Sequence, residues 1–162
     1  MNANVTAGYT RPLACAELPD RYEANQRIAN FVNVDDLKAL DDLCLTGREL
    51  VRHQHIGSPT TLCQELIRDL TICFGEIIMR YVRSDWAMGI ESLGENEYTA
   101  PTWMLMLYAD GDYRSLHLED YVTRRFFEQT ETSFAMLLDE VVKLAKNVPG
   151  LYIGGYQKPT EE

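Results

Sequence analysis

Apolar positions along the chain switch period twice, and the switches divide it into helices, strands and helices again. From Cys63 to Val82, apolar residues recur at Leu66, Ile67, Leu70, Cys73, Phe74, Ile77, Ile78 and Tyr81, the three- and four-residue spacing of a helical face. Ser58 as N-cap and Pro59 at the first helical position predict where this helix begins. Leu62, Ile72 and Met79 widen the stripe and predict burial on more than one side, while Gly75 marks a close approach by another backbone. Two shorter helices are expected upstream. One runs from Leu18, with an apolar edge of Tyr22, Ile28, Phe31 and Val32. The other is capped by Asn33, with Asp35 and Asp36 in its first turn and Leu37, Leu40, Leu43, Cys44, Leu50 and Val51 on its core face, ending near Gly57.

After Asp85 the period becomes two. Trp86, Met88 and Ile90 alternate with Ala87, Gly89 and Glu91, predicting a strand with one buried face. The segment 92–100 reads as an acidic loop, and Trp103–Tyr108, apolar on both faces, as a central strand. Asp110-Gly111-Asp112 is turn chemistry that returns the chain along Tyr113–Leu118. Helical spacing resumes with Glu119 and Asp120 opening a helix through Phe127 that buries Tyr121, Val122, Phe126 and Phe127. A last helix starts near Thr132 or Ser133, carries Lys143 and Lys146 in its final turns and stops at Pro149-Gly150. Leu151-Tyr152-Ile153 suits a short edge strand. The expected architecture is α+β: N-terminal helices packed on a three-stranded antiparallel meander, followed by two C-terminal helices. Residues 1–17 read as an arm, 18–156 as one domain and 157–162 as a polar tail.

Charge changes this picture more than composition does. The 162 residues carry a formal net charge of −10. Residues 84–140 hold twelve acids against Arg114, Arg124 and Arg125, whereas residues 1–83 hold eleven acids against nine bases. Nearly all the surplus therefore lies in one third of the chain, together with both tryptophans. Such a region attracts basic partners and repels nucleic acid. Residues 1–19 lack the basic start and apolar run of a secretory leader, and Trp103–Ala109, the longest apolar run, is too short to span a bilayer. A soluble protein in the cytoplasm, with no direct nucleic-acid or membrane binding, is expected.

Candidate chemistries fail on spacing. Cys44, His53, His55 and Cys63 lack the tight ligand pairs of a structural zinc site, and all four cysteines read as reduced, with Cys63 and Cys73 on an apolar helical face. His117-Leu118-Glu119 lacks the downstream cysteine pair of a zinc deaminase. Asp110 and Asp112 lack the further ligands of an EF-hand. No phosphate loop or nucleophile elbow occurs, and no cofactor, metal or catalytic residue is assigned.

What remains is a surface. Glu91, Glu95, Glu97, Tyr98, Asp110, Asp112, Tyr113, Glu119 and Asp120 are the expected partner-binding residues, with carboxylates steering a basic protein and aromatics slowing its release. The expected function is a non-catalytic acidic protein that neutralises a nuclease or other nucleic-acid-binding protein, in the manner of a toxin-immunity protein or a phage-type inhibitor. Two alternatives stand beside it. One is a small hydrolase or transferase using Asp110, Asp112, His117 and Glu119. The other is a homo-oligomeric structural or adaptor protein pairing Trp103–Tyr108 or Leu151–Ile153 across subunits.

Overall fold

The computed structural model describes residues 20–53, 61–92, 99–109, 112–128 and 132–158. Five helices and three strands follow in the order α1 (Asp20–Ala29), α2 (Leu37–His53), α3 (Thr61–Met79), β1 (Ser84–Ser92), β2 (Thr99–Ala109), β3 (Asp112–Leu116), α4 (Leu118–Glu128) and α5 (Phe134–Lys146). The fold is α+β, with the expected three-stranded antiparallel meander between N-terminal and C-terminal helices.

The long apolar stripe forms α3, the helix at the centre of the packing. Residues 70–75 are buried without interruption, because α1, α2 and α4 each pack against it. Phe74 stacks on Phe134 of α5 with centroids 4.6 Å apart. The predicted start at Ser58 and Pro59 lies outside the described residues. At the other end the helix stops at Met79, and Val82 instead makes an isolated bridge to Tyr152. Leu151–Ile153 is thus fastened to the residues leading into β1, with Arg83 N donating to Leu151 O and Ile153 N to Tyr81 O, both at 2.8 Å.

The sheet runs β1-β2-β3, with Trp86 opposite Leu105 and Tyr108 opposite Tyr113. Trp86, Trp103, Leu105 and Leu107 join the main core, while Ala87, Met104 and Met106 form a smaller cluster with Tyr108. Ala87 is therefore buried, against the expectation that only the Trp86 side of β1 would be, since the sheet has an apolar cluster on each face. Being the middle strand explains why β2 is apolar on both faces from Trp103 to Leu107.

Several local expectations shift. The N-cap of α2 is Asp36: its Oδ1 accepts from Lys38 N at 3.0 Å and Ala39 N at 3.2 Å. Asn33 closes the turn before it, its Oδ1 accepting from Asp35 N at 3.0 Å. On α1, Ala24 and Ile28 are buried whereas Tyr22 is 72% exposed, and the helix ends at Ala29, before the equally exposed Phe31, so its buried edge is narrower than the apolar pattern suggests. Leu118 opens α4 as a buried core residue rather than ending β3, and Phe127 is 42% exposed. Ser133 caps α5, accepting from Met136 N, and Lys143 and Lys146 fall in its last turn.

Candidate functional site

The meander fixes how far apart the predicted partner-binding residues can be. Glu91 pairs with Ala100 near one end of β2, and Asp112 pairs with Ala109 at the other. Nine residues separate Ala100 from Ala109, so about 30 Å of extended strand lies between the two groups. Glu95, Glu97 and Tyr98 belong to the segment joining β1 to β2, and Asp110 to the turn joining β2 to β3; all four lie outside the described residues. Glu91, Asp112 and Tyr113 are described by backbone alone.

Glu119 and Asp120, the remaining two, have structural partners. Glu119 Oε2 accepts from Trp103 N at 2.8 Å, continuing the β2 hydrogen bonding past the end of β3. Asp120 pairs with Arg124 one turn along α4. Both acids sit in the first turn of that helix, where its dipole favours negative charge. Among the nine, Glu119 and Asp120 are the two with described side chains, and they stand together in the first turn of α4.

The same register sets the spacing along the chain of residues weighed for a hydrolase or transferase. Asp112 and Leu116 are opposite ends of β3, and His117 follows Leu116, so about 15 Å of extended chain divides Asp112 from the histidine. His117 and Glu119 flank the buried Leu118. Of the cysteines, Cys44 and Cys73 have described side chains, and both are buried. Burial pushes the thiols of Cys44 and Cys73 up to about 12, with neighbouring Asp41 and Asp69 acting in the same direction. Thiolate is therefore scarce at neutral pH. Among the described residues, no three His, Cys, Asp or Glu side chains are grouped to hold a metal.

Positive charge near the acidic third is largely committed to intramolecular pairs. Arg125 reaches across to α2, where Nε and Nη2 meet Asp41 at 2.9 and 2.7 Å, both side chains nearly buried. Lys143 Nζ lies 2.9 Å from Asp139 and holds that carboxyl below its usual range, with Lys158 acting in the same sense. In the N-terminal half, Arg27 grips Asp69 through two bonds of 2.7 and 2.8 Å, and Arg80 meets Asp35 at 2.5 Å. Partners 42 and 84 residues apart leave no local signal in the sequence.

A feature without a sequence signature is a groove of about 420 Å³ between the start of α2, the end of α3, the first half of α5 and the C-terminal segment. Its apolar side chains are Leu37, Ile77, Ala135 and Leu138; Tyr81 and Tyr156 meet edge to face at its margin, centroids 5.4 Å apart. Asp35, Asp36, Lys38 and Arg80 make its charge balanced. On the opposite side of the charge question, no described helix is long and apolar enough to cross a membrane. No protein-family model, no curated protein and no solved structure matches this chain.

Proposed function

We propose that this chain is a non-catalytic binding protein that neutralises a basic protein partner, the nucleic-acid-binding surface of a nuclease or similar protein being the kind it suits. One observation carries the reading. The twelve acids of residues 84–140 face three bases in the same stretch, and two of those, Arg124 and Arg125, pair with Asp120 and with Asp41 of α2, which supports a regional surplus of carboxylates. Uncompensated negative charge raises association rates with a positive surface and discourages wrong partners.

On this reading the residues that do this fall into two groups along the sheet. Glu91 lies in β1, with Glu95, Glu97 and Tyr98 following it in sequence before β2, while Asp112 and Tyr113 lie in β3, with Asp110 preceding them in sequence. Glu119 and Asp120 add charge beside the first group while holding the start of α4. A toxin-immunity protein or a phage-type inhibitor operating in the cytoplasm would use such carboxylates in place of nucleic-acid phosphates.

The test is affinity capture from the native cells with wild-type protein and two charge-reversal variants, E91K/E95K/E97K and D110K/D112K. The expected result is capture of one basic protein, lost on moving from about 50 to about 500 mM salt and lost in at least one variant. Equal capture by wild type and both variants, or capture insensitive to salt, would overturn the proposal.

A further inference from the structure

We infer that residues 154–158 form a hinged flap along one wall of the groove, able to swing away while the rest of the fold stays intact. The segment is firmly anchored as far as Ile153. Leu151 is buried, and the two backbone bonds that link Arg83 to Leu151 and Ile153 to Tyr81 fix its path. Directly beyond, Gly154 and Gly155 adopt φ of +121° and +85°, backbone that side-chain-bearing residues rarely take. A Cβ at either position would meet nothing within 4 Å, so this turn passes through open space with no packing to hold it.

Past the hinge the attachments are few. The Tyr156 ring meets Tyr81 edge to face, Tyr156 N donates to Tyr152 Oη at 3.0 Å, and Lys158 Nζ stands 4.0 Å from Asp139. The Tyr156 hydroxyl faces Asp139, and burial followed by that carboxylate raises its pKa. In the closed state Tyr156 and Gln157 form a wall of the groove; in the open state Ile77 and Leu138, now buried, become its uncovered floor.

Amide hydrogen exchange resolved by residue tests this on the full chain. In the wild type, the Tyr156 amide is expected to exchange through local opening, faster than the Ile153 amide, which waits for a larger unfolding event. Tyr156→Phe removes the contact of the hydroxyl with Asp139 and should speed exchange at position 156 severalfold while leaving Ile153 unchanged. Tyr156→Ala should bring position 156 close to the unprotected rate with Ile153 still protected. A common rate for both amides in the wild type, or Ile153 exchange that rises together with that of position 156 in either variant, would overturn the inference.

Discussion

Replacing Gly75 with alanine sets helix propensity against packing, and the structure decides which wins. In the middle of a 19-residue helix, alanine for glycine is worth about 1 kcal/mol of stabilisation. At this position, however, the new methyl would fall more than about 1 Å inside the 3.4 Å at which ordinary contact with the Trp86 ring begins, and 3.1 Å from Leu118 Cδ2. Trp86 has little room to retreat. It is 2% exposed, its ring lies edge to face on Trp103 with centroids 6.4 Å apart, and its Nε1 donates to Glu76 Oε1 at 3.3 Å. Overpacking of this kind costs about 1–3 kcal/mol, and displacing the indole from Trp103 and Glu76 adds about 1 kcal/mol more. Set against the propensity gain, the net loss is about 1–3 kcal/mol. Urea unfolding followed by tryptophan fluorescence measures it directly, as a lower midpoint with unchanged slope. The decisive control is the same substitution in a Trp86→Phe background, whose smaller ring lacks the atoms that collide. There, Gly75→Ala should be neutral or stabilising by up to about 1 kcal/mol, giving strong coupling in the double-mutant cycle. Stabilisation by Gly75→Ala in the wild type, or an equal loss in both backgrounds, would refute the steric account.

Other expectations follow from the charged and titrating groups. Asp41→Ala should cost about 3–5 kcal/mol in the same unfolding assay, because it strands Arg125 nearly buried without its carboxylate. Arg124→Ala, which opens a pair whose arginine is more than half exposed, should cost less than about 1 kcal/mol. Cys44 and Cys73 should resist a thiol reagent at pH 8 until denaturant is added, as peptide mapping by mass spectrometry will show. Their raised folded-state values also set a pH dependence. The folded protein holds these protons more tightly than the unfolded chain, so the contribution is intact below about 9 and is lost as pH rises towards about 12. Unfolding midpoints measured from pH 8 upwards should therefore fall, and should fall less in Cys44→Ala.

Elements with a sustained period were legible in the sequence, while details set by distant contacts were not. The stripe from Leu66 to Ile78 identifies α3 because one helical face repeats over several turns. The all-apolar run at Trp103–Leu107 identifies β2 as central because both its faces are covered. Asn33 and Asp36 are equally good capping residues, and only the backbone path decides that Asp36 caps α2 while Asn33 closes the preceding turn. Gly75 does announce a close approach, but the approaching group is the Trp86 indole, eleven residues on, rather than a second backbone. Phe127 carries the right spacing for burial and remains partly exposed, since Phe126 takes the core position beside it. The groove gathers residues near 35, 80, 135 and 156, and no window of sequence contains them together.

The charge surplus was plain from the sequence, but its distribution depends on the direction of the strands. An antiparallel meander places its two connections at opposite ends of the middle strand, so acids that look adjacent in a central segment separate as that strand lengthens. Here the separation is about 30 Å, several times the screening length of about 8 Å at physiological ionic strength. At that distance each acidic end acts on an approaching cation almost alone. A partner gripped by both ends must span the length of β2, and reversing the charge at either end should then weaken binding. A partner gripped by one end should lose its affinity in a single variant and ignore the other. The paired variants thus report the footprint of the partner as well as its sign: a loss in both requires a positive surface about as long as the strand, and a loss in one confines it to a single connection.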